Sequence, residues 1–165
     1  MRYETLTPVD RETLLQELDL MPTHLSERFA SLSAGEATAS GPGGGFSPVE
    51  QCWHLADLER EGFGVRLRRL LNEVDPVLPD FDGDRAAVER QYKRRSLADG
   101  IQAFREARAA NLALIRSIAS ADWSRSGTQE GVGKIMLCDM PHMMAQHDAA
   151  HSAEIDAWFV NQRGA

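Results

Sequence analysis

Apolar residues recur every three or four positions along four long stretches of this 165-residue chain, a spacing typical of amphipathic helices. Three of the helices are expected to begin after a hydroxyl residue that can act as N-cap, namely Thr7, Ser47 and Ser96. The fourth is expected to run to about Asn161, with Pro141 in or near its first turn. We find no segment that alternates polar and apolar residues, so no β-sheet is predicted. The sequence therefore predicts an all-α fold, a four-helix bundle.

The connections between these helices are long. Residues 35–45, 73–84 and 120–133 are expected to form loops, the first two rich in glycine or proline. Because helix bundles usually have shorter loops, at least one connection is expected to cross the end of the bundle. Pro22 should kink or briefly interrupt the first helix, and a short polar helix is expected at 85–94. We treat residues 1–165 as a single domain, since this length suits one core.

Charge and cysteine content exclude several classes of protein. The net charge of −7 argues against a nucleic-acid-binding surface. The sequence lacks an apolar run long enough for a bilayer, and its N-terminus lacks the apolar region of a signal peptide. Cys52 and Cys138 fit neither a disulfide framework nor a C-x-x-C metal site. We therefore expect a cytoplasmic protein with reduced thiols that acts on small molecules.

Two histidines in the last helix stand four residues apart, and both fall on its apolar face. That face consists of Met140, Met144, His147, His151, Ile155 and Trp158. Each imidazole could be neutral and bonded to its own buried partner. Alternatively, both could bind one divalent metal ion, since imidazole suits Zn, Cu, Fe and Ni. The histidine pair alone leaves both interpretations open.

A third histidine can join this pair if the second and last helices pack together. His54 borders the buried stripe of the second helix. Three imidazoles with further positions left to water form the ligand set of open catalytic metal sites. Glu50 and Asp57 near His54, and Glu154 near His151, are candidates to orient the rings, although on exposed faces they would only solubilise the chain. Trp53, Asp57, Met144 and Trp158 are the nearest candidates for lining a pocket.

Other metal sites fit the sequence less well. His147-Asp148-Ala149-Ala150-His151 resembles the H-E-x-x-H motif of zinc proteases with aspartate in place of the general base, but few residues follow to supply a third ligand. A carboxylate-bridged di-iron bundle needs two Glu-x-x-His motifs, and we find neither. Cys52 is expected to lie in the core.

Several short motifs, in their order and separation, resemble the DinB-like superfamily over nearly the whole chain. The motifs are residues 46–57 (FSPVEQCWHLAD), residues 109–112 (AANL), residues 123–125 (WSR) and residues 147–155 (HDAAHSAEI). The resemblance implies a four-helix bundle that holds a divalent metal ion through three histidines, which here would be His54, His147 and His151. The chain departs from the family pattern at residues 135–141, where the last helix usually begins with Thr-Leu or a similar pair.

Characterised members of that family include thiol-dependent transferases and an isomerase that use bacillithiol, mycothiol or glutathione, while others are assigned as hydrolases. The resemblance thus implies a metal-dependent enzyme with Zn, Ni or Fe, and we expect a low-molecular-weight-thiol S-transferase of detoxification or stress response. The alternatives are a metal-dependent hydrolase and a non-catalytic metal-binding stress-response protein. The resemblance also implies a homodimer. The sequence identifies no general base.

Overall fold

A computed structural model describes the backbone of residues 3–163 and the side chains of residues 3–162. Its α-helices are α1 (Pro8–Phe29), α2 (Ala34–Ala37), α3 (Pro48–Asp57), α4 (Gly64–Asn72), α5 (Gly83–Glu89), α6 (Leu97–Ser117) and α7 (Met140–Arg163). A π-helical segment, Leu58–Phe63, joins α3 to α4 into one long rod. Single 3-10 turns occupy Tyr3–Thr5, Pro42–Gly44, Tyr92–Arg94, Ser120–Asp122 and Leu137–Asp139.

The four long rods pack as a bundle, which confirms the predicted architecture. α6 packs against both α1 and α3, and α7 packs against α1. α1 and α3 are thus diagonal to each other, as are α6 and α7, so the connections 30–47 and 118–139 both cross an end of the bundle. α3 and α7 approach each other less closely, and the histidines lie on this side.

The predicted helix starts are present, and α1 differs from expectation at one point. Thr7, Ser47 and Ser96 each accept a hydrogen bond from the backbone three residues on. α1 continues through Pro22 without interruption. Because the Pro22 ring is buried in the bundle, packing compensates for the hydrogen bond that an interior proline removes.

The prediction that the chain forms no sheet is wrong. β1 (Val77–Leu78) pairs in parallel with β2 (Ser126–Gln129), which pairs antiparallel with β3 (Gly133–Met136). In the register Val77 lies opposite Thr128, and Gly127 lies opposite Ile135. These strands are too short and too rich in glycine to show a period of two. They fasten two of the long connections together, and α7 begins only after them, at Met140.

The π-helical segment changes which residues of the second rod face inward. A regular helix would bury Arg60 within an apolar stripe, but the wider turn exposes Arg60 and buries Glu59 at 1% exposure. Glu59 joins a buried polar layer with Arg108, Asn111 and Asp148. This layer separates two apolar clusters, one around Leu67, Leu112 and Met144, and one around Leu25, Cys52, Phe104 and Ile155. Cys52 is buried, as expected. Across residues 3–163, none of the helices has the length and apolar character needed to span a membrane.

Candidate functional site

The structure brings together the three histidines that the sequence singled out. His54 projects from α3, and His147 and His151 project from successive turns of α7. One ring nitrogen from each histidine lies within 4.8 Å of the others. The Nε2 atoms of His147 and His151 are 3.0 Å apart, close enough to share one hydrogen or one metal ion. His54 and His151 are buried, and His147 is half-buried.

A glutamine that the sequence analysis missed fixes the orientation of His151. Gln51 donates from Nε2 to the Glu154 carboxylate at 2.8 Å, so its Oε1 is left to face Nδ1 of His151 at 2.6 Å. Because an amide oxygen can only accept, Nδ1 carries the hydrogen and Nε2 keeps its lone pair toward the cluster. Glu154 also lies 3.1 Å from Nδ1, as predicted. Gln51 stands one turn before His54, a spacing that could have identified it.

The other two candidate carboxylates, Glu50 and Asp57, form their hydrogen bonds with other residues. Glu50 accepts from the backbone and hydroxyl of Ser47 in the capping box of α3. Asp57 accepts from the Tyr92 hydroxyl at 2.6 Å and from Arg90 at 2.7 Å. Other donors thus engage both carboxylates, and Asp57 acts on His54 through its charge, which opposes the lowering of the His54 pKa.

His54 has a ring nitrogen that is buried and unpaired. Its Nδ1 has no hydrogen-bond partner within residues 3–162. The Nδ1–Cε1 edge lies against Gly83, where an added Cβ would overlap the ring. Phe46 and Phe81 pack at 5.2 and 6.0 Å between ring centroids. Packing against these residues thus holds the Nδ1 edge of the ring, where no polar partner lies within residues 3–162.

The protein environment keeps all three imidazoles neutral at pH 7. Burial, assisted by the positive form of His151, lowers the pKa of His54 to about 4. Burial lowers the pKa of His147 to about 3, with further contributions from His151, His54, Arg108 and Arg66. Burial also lowers the pKa of His151, although Glu154 and Asp148 oppose it. Neutral imidazole is the metal-binding form, and three such rings, each with one nitrogen within 4.8 Å of the others, fit a divalent metal ion.

Asp148, between the two α7 histidines, is engaged on the opposite side. Both of its carboxylate oxygens accept from Arg108, at 2.7 and 2.8 Å. Arg108 also forms an ion pair with Glu59 at 2.9 Å and donates to the Leu18 carbonyl at 2.7 Å. Although burial disfavours the charge, these carboxylates raise the pKa of Arg108. Asp148 therefore anchors α7 and does not take the place of the glutamate of a zinc protease.

Two clefts open onto the histidine cluster and meet at His54, Asp80 and Phe81. The larger cleft has a volume of about 560 Å³ and is bordered by His151. The smaller has a volume of about 280 Å³ and is bordered by His147. The residues expected to line a pocket, Trp53, Asp57, Met144 and Trp158, border neither cleft. They are core residues, and the two tryptophans donate to the carbonyls of Ser96 and Ala39.

Fold and cluster together define a class of helical bundle in which clustered, neutral imidazoles face open clefts. The chain belongs to the DinB superfamily, whose family model matches residues 2–155, and this confirms the resemblance seen in the sequence.

Solved structures show the same fold. YfiT from Bacillus subtilis, described as a probable metal-dependent hydrolase with an unusual four-helix bundle topology, aligns with a TM-score of 0.86 at 17% identity, over 96% of this chain and 90% of its own. A mycothiol-dependent maleylpyruvate isomerase aligns with a TM-score of 0.72 at 13% identity, over 95% of this chain and 64% of its own. No curated protein matches by sequence.

Proposed function

We propose that His54, His147 and His151 bind one divalent metal ion, Zn, Ni or Fe, and that the protein is a metal-dependent S-transferase. It would join a low-molecular-weight thiol to a small electrophile in detoxification or stress response. A metal ion bound there would act as a Lewis acid that lowers the pKa of a thiol. The three neutral rings support the metal site, because one nitrogen from each lies within 4.8 Å of the others.

The observation that carries the choice of reaction is the pair of clefts. Group transfer brings two organic molecules to one centre, whereas hydrolysis requires room for one organic molecule and water. Here two cavities meet at His54, and each borders a different histidine of α7. The similarity to a mycothiol-dependent isomerase supports the use of a thiol. The similarity to YfiT, described as a probable metal-dependent hydrolase, keeps hydrolysis as the alternative.

Residues of the chain itself would hold the histidine ligands in place. Gln51 and Glu154 fix the ring of His151 with Nε2 directed inward. Gly83 leaves room for the His54 ring, and Arg108 anchors the α7 turn that carries both other histidines through Asp148. Such fixed rings need little rearrangement when a metal ion binds.

We further propose that the protein works in the cytoplasm on small molecules, without nucleic-acid partners, and as a homodimer. Cys52 and Cys138 are both buried thiols, which fits a reducing compartment. The acidic charge of −7 disfavours polyanions. The homodimer rests on the family alone.

Metal content and turnover test these proposals separately. The metal-free protein is titrated with Zn and Ni, and bound metal is measured by elemental analysis for wild type, His147→Ala and the control His24→Ala, an exposed histidine. We expect about one equivalent in wild type and control and strong loss in His147→Ala, because two imidazoles bind more weakly than three. Equal metal content in all three would overturn the metal site.

The metal-loaded protein is then given bacillithiol, mycothiol or glutathione with 1-chloro-2,4-dinitrobenzene, and separately p-nitrophenyl acetate. Thioether formation that His147→Ala loses supports the S-transferase. Ester hydrolysis without thioether formation supports the hydrolase instead. Metal binding with neither reaction would favour the non-catalytic metal-binding protein.

A further inference from the structure

We propose that the smaller cleft binds a carboxylate group of the electrophilic substrate and that Arg66 is the residue that recognises it. This inference rests on the proposed function, since it names the substrate class of the same site. The smaller cleft is bordered by Arg66, Gln129, Gln146 and Met143, together with His54 and His147. An organic acid held there would lie beside the histidine cluster.

Arg66 is a buried cation with an incomplete set of partners. Its side chain is 5% exposed, and its Nε has no hydrogen-bond partner in the described part of the chain. Its ion pair, with Asp80, spans a long 3.4 Å, and the Asp80 side chain is 67% exposed. A buried guanidinium with so little compensation is costly for the fold unless another anion completes it.

Arg108, the other deeply buried arginine of residues 3–162, shows how nearby anions compensate a buried guanidinium. Its Nε is also unpaired, but its terminal nitrogens contact two buried carboxylates and a carbonyl at 2.7 to 2.9 Å. Arg108 borders neither cleft, whereas Arg66 borders the cleft that reaches His147. Of these two buried arginines, Arg66 has both an incomplete set of hydrogen bonds and access to a ligand in the cleft.

A carboxylate fits this arginine by shape and by charge. The planar guanidinium presents parallel donors that match the two oxygens of a carboxylate. Gln129, on β2, adds a buried acceptor, because its Oε1 is unpaired within residues 3–162. A hydroxyl or N–H next to the carboxylate would donate to it. The volume of about 280 Å³ limits the ligand to a small organic acid.

The larger cleft does not suit the same group. Asp80, Asp82, Asp84 and Glu154 all border it, and these carboxylates repel an anion. Asp80 borders both clefts, but Arg66 lies only in the smaller one. The charge distribution thus assigns the acid end of the electrophile to the smaller cleft.

A purely structural role for Arg66 makes a different prediction. If Arg66 served only to hold the loop through its ion pair with Asp80, then Asp80→Asn and Arg66→Gln would change succinate binding equally. If Arg66 binds a substrate carboxylate, Asp80→Asn removes a competing carboxylate and should preserve or strengthen anion binding.

The test is a titration of the metal-free and Zn-loaded protein with succinate, with succinamide and inorganic phosphate as comparison probes. The side-chain Nε–H resonance of Arg66 is followed by NMR, and the dissociation constant is measured by calorimetry. We expect succinate to shift this resonance and succinamide to leave it unchanged. No shift with succinate in wild type, or a preference for phosphate, would overturn the proposal without any variant.

Variants then assign the binding to Arg66. Arg66→Gln should weaken succinate binding by at least about tenfold, since a charge-assisted hydrogen bond is lost. Arg68→Gln, the same change at an exposed position of α4, should leave it unchanged. Arg66→Gln should still bind metal, which separates failure of this inference from failure of the metal site. Wild-type affinity in Arg66→Gln, or equal losses in Arg66→Gln and Asp80→Asn, contradicts the proposal.

Discussion

At the scale of single residues, the tautomer of His151 is set from another helix. Gln51 can offer only its carbonyl oxygen to Nδ1, because Glu154 engages its amide nitrogen. This relay fixes a ring on α7 through a side chain on α3, across the side of the bundle where the helices approach each other least.

Replacing Gln51 with leucine should therefore weaken metal binding by about ten- to a hundredfold while the fold persists, because the ring of His151 loses its fixed tautomer. Competition with a chromophoric chelator measures the affinity. Gln102→Leu makes the same change on an exposed face of α6 and should bind metal as wild type does. Unchanged affinity in Gln51→Leu would show that the relay is dispensable.

The lowered pKa of His54 predicts how stability depends on pH. Between pH 6.5 and about 4 the unfolded chain takes up a proton that the folded chain refuses, so the metal-free protein loses stability as the pH falls through this range. The contribution of His54 is at most about 3 kcal/mol. His147 and His151 add in the same direction, and Asp57 opposes.

Urea denaturation of metal-free wild type and His54→Gln at pH 7.5 and pH 4.5 measures this term. The difference in free energy of unfolding between the two pH values should be smaller in His54→Gln. His24→Gln, at an exposed histidine, should behave as wild type. Parallel pH profiles for wild type and His54→Gln would contradict the assignment.

Sequence reasoning reached His147 and His151 because helical spacing alone puts them on one face, and it reached His54 from its place beside a buried stripe and from the family resemblance. It could not decide which carboxylates serve them. Asp57 and Glu154 stand equally near a histidine along the chain, but Asp57 is engaged by Tyr92 and Arg90, which arrive from a distant segment. Such competition between partners is a property of the packed molecule.

At the scale of elements, the first residue of α5 must be glycine because of its neighbour. Gly83 follows the N-cap Asp82 and lies against the edge of the His54 ring. The start of a short helix thereby forms part of the wall around the histidine cluster.

Gly83→Ala should cost about 1–3 kcal/mol of stability through overpacking and should weaken metal binding by displacing His54. Gly35→Ala is the matched control, since Gly35 also lies in a short helix but an added Cβ meets nothing within 4 Å. Thermal unfolding and metal titration of both variants check this. Equal stability and equal metal affinity in the two variants would show that the start of α5 shifts to accommodate the added methyl group.

The π-helical segment shows where periodicity fails and why. In a regular helix Arg60 would interrupt the apolar stripe, and this interruption is the sequence feature that indicates an irregular turn. The π-helical turn is stabilised by contacts with another helix, because it lets Glu59 pair with Arg108 and Asn111 of α6. The small sheet escaped prediction similarly, because its strands acquire their partners only when two distant connections meet.

At the scale of the whole molecule, one buried arginine links much of the bundle. Arg108 of α6 contacts the Leu18 carbonyl of α1, Glu59 of the π-helical segment and Asp148 of α7. Burial raises the pKa of Glu59, although Arg108 and Asn111 oppose it, so this carboxylate depends on its partners.

Arg108→Met should destabilise the protein by about 3–5 kcal/mol, since it leaves two buried carboxylates without their cation. Arg105→Met, one turn earlier and exposed, should change stability by less than about 0.5 kcal/mol. Chemical denaturation of both variants provides the comparison. A small loss in Arg108→Met would show that water or a shifted pKa relieves the carboxylates.

That residues 1–165 form one domain stays a prediction. Because Arg108 in the polar layer contacts α1, the π-helical segment and α7, we expect one cooperative unfolding transition. Circular dichroism and tryptophan fluorescence should report coincident curves. Two separated unfolding transitions would show that the chain contains two domains and would contradict this prediction.

The sheet anchors a short segment, residues 79–82, that lies between β1 and α5. β1 ends at Leu78, whose carbonyl accepts from Glu130, and α5 is capped by Asp82. The few residues between them, 79–82, carry Phe81 and Asp80, which separate the two clefts. This segment is anchored at both ends and belongs to none of the rods that present the histidines. Mutations there would reshape both clefts while His54, His147 and His151 stay in place, which makes this segment the starting point for altering which ligands the clefts bind.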